Sequence, residues 1–272
     1  MMLLKHEWMR TRTLVGTVAG MAVLLTLLGT GLTATAWPVL SPLGMLLGGI
    51  AITVLVPGLQ LALTADYYRS SYSRTGYFTH SLPIRGGRIY AAKAIWAVLV
   101  TLAGLGLTLV LFGVFWVGVG PAVGMDRNPF TAAGMLWDRL SAVSTSGMLA
   151  GGVLLLLAMY LIWPIHYFFA VSRGSERPLN RWGLGGPVLV FVVLYTVTQL
   201  AGIIGMIVIP FGIGLQNGAL GVVSYRIIAE MQLGSASTED VMPLGFIPAI
   251  LLVTVFCAWR TVRSWNHKIS LA

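Results

Sequence analysis

A polar interruption at residues 66–93 separates two long apolar segments and reads DYYRSSYSRTGYFTHSLPIRGGRIYAAK. It carries five of the chain's 17 Lys and Arg residues but a single acid, Asp66. We expect this stretch to form a basic loop that holds one short helix. The apolar segments on either side of it determine the fold.

The composition predicts an all-α integral membrane protein. Hydrophobic residues make up 57% of the 272 residues, charged residues only 9%, and the mean hydropathy is +0.87. Soluble globular domains carry about 25% charged residues. Apolar runs of about 20 residues are long enough to cross a bilayer. Because these runs are continuous rather than alternating, they favour helices over a closed barrel.

The apolar runs predict six transmembrane helices in a single transmembrane domain. The predicted spans are 14–36, 43–65, 94–120, 146–170, 187–211 and 243–259. They leave an amphipathic helix at 1–13, loops at 66–93 and 171–186, outer regions at 128–143 and 212–242, and a tail at 260–272.

Each outer region is expected to hold a short helix. Asn128 followed by Pro129 is typical of an N-cap and a first helical position, and apolar residues then recur at helical spacing. In the second region, Ala219–Met231 is predicted to form an amphipathic helix, with Arg226 and Glu230 one turn apart.

The N-terminal segment has two interpretations. Residues 1–13 form an interfacial amphipathic helix that leads into the first span, or they begin a secretory signal with a cleavage site at Ala34-Thr35-Ala36. The apolar core Leu14–Leu32 has about 19 residues, against the 7–15 of a signal peptide. We therefore expect it to be retained as a span.

The distribution of charge predicts the orientation. With the N-terminus inside, the inner segments hold 14 of the 17 Lys and Arg residues, whereas the outer segments hold only Arg127, Arg139 and Arg226. The positive-inside rule counts these residues in short loops. It therefore predicts a multi-pass protein of the cell membrane with both termini in the cytoplasm. Because the net charge of +9 lies in loops beside apolar spans, it indicates topology rather than nucleic-acid binding.

The chain lacks the residues of an energy source of its own. None of its lysines follows a glycine as a Walker A motif requires. Its four histidines lie far apart, so a metal site is not expected. The predicted spans contain no Asp, Glu, Lys or Arg, the groups on which ion-coupled transporters depend. If the chain drives transport, we expect the energy to come from another protein.

The middle of the polar interruption resembles a known pattern. Residues 76–84, GYFTHSLPI, followed by Ile89 and Lys93, are similar to the loop between the first two hairpins of ABC-2-type ABC transporter permeases. Six spans, an amphipathic N-terminal helix and a small outer helical region are similar to the same family. Relatives often carry an acid just before the glycine, where Arg74-Thr75 stand here.

The resemblance implies the membrane subunit of an exporter rather than an enzyme. A cytoplasmic coupling helix would dock on one of two ATPase subunits, which bind ATP and Mg, while this chain binds no cofactor. The chain would pair with an identical or homologous permease and move a hydrophobic or peptide-like substrate outward. The implied docking residues are Tyr72, Arg74, Gly76, Tyr77, Phe78, His80, Leu82 and Pro83, and a second cytoplasmic contact is expected at Arg173, Arg177 and Arg181.

Other interpretations stay open at this point. The arginines of the loop suit docking on a partner or on anionic headgroups, but they also suit a role in topology alone. A non-transporting scaffold or immunity protein fits the same composition. A membrane-embedded enzyme would need a cluster of reactive polar groups near one membrane face, and the sequence indicates none.

Overall fold

The computed structural model describes residues 2–73, 76, 83–216, 218–224 and 241–267. Among these residues, six helices are long and apolar enough to cross a membrane, which confirms the predicted all-α membrane class. The helices are α1 (Met2–Ala34), α2 (Leu40–Tyr72), α3 (Gly86–Ala122), α4 (Pro129–Val143), α5 (Ser146–Gly174), α6 (Gly185–Val208) and α7 (Phe246–His267). All but α4 are candidate spans.

Several spanning helices are longer than predicted. Helix α1 joins the predicted surface helix 1–13 to the first span without a break. Helix α2 continues to Tyr72 and α3 begins at Gly86, so the interruption between them covers 73–85 rather than 66–93. At 33 and 37 residues, α2 and α3 are about 50 and 55 Å long. They therefore exceed the roughly 30 Å hydrocarbon core.

The chain packs as two three-helix units. In unit 1, helices α1, α2 and α3 contact one another, and in unit 2, helices α5, α6 and α7 do the same. The division between the units falls within α4, after Trp137. Helix α4 confirms the helix predicted at 128–143, and none of its side chains is buried.

Helix α2 supplies the centre of unit 1. Leu55, Leu59, Leu63 and Tyr67 follow one another at four-residue spacing and are all at least 96% buried. This spacing places them on one face of the helix, which α1 and α3 cover. Deep in the unit, the Gln60 side chain donates a hydrogen bond to Thr101 of α3. Gln60 thus joins α2 to α3.

Glycines allow α1 and α2 to approach each other closely. A Cβ atom added at Gly29 would lie 2.6 Å from the Gly48 nitrogen and 2.8 Å from the Gly44 oxygen. Small residues at such crossings let two backbones pack directly, as in other membrane helix pairs. Gly31, two residues further along α1, faces open space.

Unit 2 is built around a small core in which Phe169, Leu194 and Cys257 meet, one from each helix. Cys257 is completely buried. Thr196 and Thr198 bond to carbonyls of their own helix, and Gln199 donates to Tyr195 one turn earlier. Within the part of the chain that the structure describes, these three side chains bond inside their own helix.

The second outer region differs from its prediction. Residues Phe211–Gln216 form strand β1, Ala219–Ser224 form β2, and Met242–Pro243 form β3 in an antiparallel sheet of order β2-β1-β3. The helix predicted at Ala219–Met231 is therefore wrong over its first six residues, and 225–240 lie outside the described residues. The fifth span ends at Val208 rather than at 211.

The close approach of α1 and α2 predicts different effects of two glycine substitutions. We expect Gly29→Val to destabilise the protein by about 1–3 kcal/mol because the added atoms overlap the α2 backbone. Gly31→Val should change stability by less than about 0.5 kcal/mol because its side chain meets nothing. The melting temperatures of the two variants are compared by heating each in detergent and measuring the remaining folded protein by size-exclusion chromatography. Equal melting temperatures would contradict the close packing of α1 against α2.

Candidate functional site

The helix ends that flank residues 73–85 carry a buried charge cluster, which we call the loop-root cluster. It consists of Glu7 and Arg10 from α1, Asp66 from α2 and Lys93 from α3. Arg10 Nη2 contacts both Glu7 and, at 2.6 Å, Asp66 Oδ2. Lys93 Nζ lies 3.2 Å from Glu7 Oε1. Two positive and two negative charges are thus paired across three helices.

The chain's topology brings these residues together. Consecutive helices of unit 1 run in opposite directions. The start of α1, the end of α2 and the start of α3 therefore meet at one end of the unit. Lys93 Nζ also donates a hydrogen bond to Ser70 Oγ at 3.0 Å. Both ends of the 73–85 segment are therefore fixed to each other, and through Glu7 to α1.

Two members of the cluster are buried and the other two are half-buried, so its pairing affects stability. Glu7 is 5% exposed and Lys93 is 3% exposed. Removal of one partner from a buried ion pair leaves an uncompensated charge and typically destabilises by about 3–5 kcal/mol. This pairing is consistent with helices that extend into the predicted loop, since Asp66 pairs with Arg10 and Lys93 pairs with Glu7.

Aromatic and hydroxyl groups extend the contact between α1 and α3. Trp96 Nε1 donates a hydrogen bond to Thr11 Oγ1 at 2.9 Å. The ring of Trp96 packs edge to face with that of Trp8, with 5.6 Å between the ring centroids. The end of unit 1 that carries the loop-root cluster is thus held by charge pairs, hydrogen bonds and ring packing.

The predicted docking residues are described only in part. Tyr72 is half-buried at the end of α2, where its ring packs against Tyr67. Gly76 is buried and its N–H donates to the Ser73 carbonyl, and Pro83 is exposed. The expected coupling helix itself, with Arg74, Tyr77, Phe78, His80 and Leu82, lies outside the described residues.

Unit 2 contains a second buried cluster, centred on Glu176 in the loop after α5. Glu176 Oε2 accepts hydrogen bonds from Arg173 and, at 2.8 Å, from Arg260 Nη2 of α7. Its other oxygen, Oε1, accepts from Ser264 Oγ at 2.7 Å. Glu176 is 4% exposed. One carboxylate therefore joins the end of α5 to the end of α7.

The surroundings of Glu176 shift its ionisation. Burial alone would raise the pKa of this carboxyl. The hydrogen bonds from Arg260 and Ser264 and the charges of Arg260 and Arg173 outweigh that effect, so the pKa of Glu176 is lowered below its ordinary value. Glu176 is therefore ionised at neutral pH, and its charge stabilises the folded loop.

The three arginines of the predicted second cytoplasmic contact differ in their surroundings. Arg173 belongs to the Glu176 cluster, and 42% of its side chain is exposed. Arg177 and Arg181 are exposed, and the Arg181 guanidinium lies 5.9 Å from the Trp182 ring centroid. These two arginines are accessible in this chain, whereas Arg173 is half-buried and pairs with Glu176 through Nη1.

Sequence reasoning missed both clusters, although a signal was present. The inner segments contain three acids, Glu7, Asp66 and Glu176, and each of them belongs to a cluster. An acid in an otherwise basic segment at the end of a span needs a partner when the helix end is buried. Antiparallel topology predicts where that partner lies.

Comparison with known proteins adds no further assignment. No family model, curated protein or solved structure matches this chain.

The loop-root cluster predicts strong coupling between Glu7 and Lys93. We expect Glu7→Gln to lower the free energy of unfolding by about 3–5 kcal/mol, because Lys93 then stays buried without its counter-charge. Glu7→Gln combined with Lys93→Met should lower it by less than the sum of the two single effects. Unfolding in mixed micelles measures these energies.

The matched control is Arg12→Gln, which changes an exposed charge on the same helix. We expect it to change the free energy of unfolding by less than about 0.5 kcal/mol. Additive effects at Glu7 and Lys93, or equal effects at Glu7 and Arg12, would contradict the pairing.

The lowered pKa of Glu176 predicts a dependence of stability on pH. The unfolded carboxyl titrates near its ordinary value of about 4.3, and the folded carboxyl titrates lower. The stabilisation is therefore complete above the ordinary pKa and is lost as the pH falls through the folded pKa. Glu176→Gln should lower the melting temperature at pH 7, and its difference from wild type should shrink on acidification.

Asp138→Asn, at an exposed carboxylate on α4, serves as the control for this titration. We expect it to melt like wild type at every pH. A Glu176→Gln difference that stays constant between pH 7 and the acid limit would show that the carboxylate charge is not the stabilising element.

Proposed function

We propose that this chain is the membrane-spanning permease subunit of an ATP-driven ABC exporter. A separate ATPase subunit hydrolyses ATP, and this chain converts the motion of that subunit into outward movement of a hydrophobic or peptide-like substrate. The complex contains two ATPase subunits, which hold ATP and Mg, and a second permease that is identical or homologous. The permease lies in the plasma membrane with both termini in the cytoplasm.

The observation that carries the proposal is the attachment of the basic segment 73–85 to three helices at once. Lys93 donates a hydrogen bond to Ser70 across the two flanking helices, and Glu7 and Arg10 of α1 pair with Lys93 and Asp66 respectively. A force applied to this segment therefore acts on the ends of α1, α2 and α3 together. Such a rigid connection is what a coupling element requires.

The charges inside the helices support an external source of energy. In the described spanning helices, the paired acids and bases lie near the helix ends, in the loop-root cluster and around Glu176. Deeper in the helices, Gln60 bonds to Thr101 and His166 bonds to Thr254. Ion-coupled carriers place charged groups within their spans, and this arrangement fits an ATPase-driven protein better.

A scaffold or immunity protein remains the second candidate, because basic loops and six spans would serve it equally. The two functions differ in their need for an ATPase. Where a neighbouring gene encodes an ATP-binding-cassette protein, co-expression with that protein, followed by purification and an ATPase assay with candidate cargoes, separates them. Stable association and cargo-stimulated hydrolysis favour the exporter, and their absence favours the scaffold.

The proposal predicts that apolar anchors in the loop hold the ATPase. We expect Tyr77→Glu and Phe78→Asp each to reduce co-purification of the ATPase by at least about tenfold, since a buried aromatic anchor typically contributes more than 1–2 kcal/mol to an interface. Insertion into the membrane and the yield of the permease should be unchanged.

Phe130→Asp provides the control for the loop variants. Phe130 is an exposed aromatic residue of α4, which the charge count assigns to the outer side. It should leave ATPase association as in wild type. Normal co-purification of the Tyr77 and Phe78 variants would refute docking through this loop.

A further inference from the structure

We propose that unit 2 binds one anionic phospholipid of the surrounding membrane, with an acyl chain in an apolar groove and the phosphate at Arg173. This site is separate from the loop that we propose to dock on the ATPase. The inference does not depend on the exporter function, because any membrane protein with this groove would make the same contacts.

The groove lies on unit 2 between its three helices and the short 3-10 helix Leu179–Trp182. Its volume is about 610 Å³. Helix α6 forms one wall from Leu189 to Val197. The remaining walls come from α5, the 3-10 helix and α7, through Phe169, Arg173, Leu179, Leu252, Val253 and Phe256.

The side chains that line the groove favour an apolar occupant. Among the residues that the structure describes, every side chain that lines the groove apart from Arg173 is aliphatic or a phenylalanine. Sites for polar small molecules place several hydrogen-bonding groups along their walls, and the described lining of this groove has one, at Arg173. An occupant with a long apolar chain and a single polar head therefore fits the lining.

The length of the groove along α6 is close to the thickness of one leaflet of the hydrocarbon core. The eight-residue step from Leu189 to Val197 spans about 12 Å along the helix. Half of the hydrocarbon core is about 15 Å thick. Arg173 lies one residue before the end of α5 at Gly174, at the level where a span meets the headgroups. The groove thus extends from headgroup level towards the bilayer centre.

The charged end of the groove selects an anionic head. Arg173 and Arg260 share the single carboxylate of Glu176, so the cluster has a surplus positive charge. The Arg173 side chain is 42% exposed, and its guanidinium carries five N–H donors. The donors that Glu176 leaves unused can bind phosphate oxygens. Basic pockets between spanning helices recognise anionic headgroups in this way.

Two adjacent valines give a matched test of the groove. Val192 and Val193 are 54% and 53% exposed, but only Val193 lines the groove. We expect native mass spectrometry of the purified chain to show one bound palmitoyl-oleoyl phosphatidylglycerol for wild type and for Val192→Trp. Val193→Trp, which fills the groove, should lose this lipid. Val197→Trp provides a second blocking variant should Val193→Trp fail to fold.

The charge at Arg173 is tested by competition between lipids. Wild type should prefer phosphatidylglycerol over palmitoyl-oleoyl phosphatidylcholine by about fivefold, as expected of one basic residue at the headgroups. Arg173→Gln should bind both lipids equally, and Arg177→Gln should keep the preference. Equal binding by the Val192 and Val193 variants would overturn the proposal. So would a dimer that the groove variants disrupt, because the groove would then be a subunit interface.

Discussion

Charge at the end of a membrane helix must be paired when packing removes it from water, and this constraint shapes unit 1. Glu7 and Lys93 are almost completely buried, and each has an opposite charge within reach. The parts of α2 and α3 that exceed the bilayer core are held to α1 by the pairs Asp66–Arg10 and Lys93–Glu7. The loop between them is consequently short and is fixed at both ends.

The same solution occurs in unit 2 with different residues. There a loop carboxylate, Glu176, joins α5 to α7 through Arg173, Arg260 and Ser264. In both units the buried acid belongs to a segment that the charge count assigns to the cytoplasm. These segments are the ones through which a cytoplasmic partner would act, so the clusters connect the proposed contacts to the spanning helices.

The length and continuity of the apolar runs were sufficient to predict the six spans, because only helices and closed barrels satisfy the backbone in lipid and continuous runs favour helices. They did not predict where helices end, since Asp66 and Lys93 read as loop residues until their partners in α1 are known. The β-hairpin was not predicted for a local reason: Asn217-Gly218 is a strong two-residue hairpin signal, but the residues after Ala219 also fit the spacing of an amphipathic helix. The partner and the substrate leave no comparable pattern in a single sequence.

The loop-root cluster is tested most directly by the distance between the ends of α1 and α3. Spin labels at the exposed positions Thr13→Cys and Arg88→Cys, in a Cys257→Ser background, report this distance by pulsed electron paramagnetic resonance. The account predicts one narrow distribution in the wild-type cluster and a broad one after Glu7→Gln. A broad distribution with the cluster intact, or one that Glu7→Gln leaves unchanged, would contradict it.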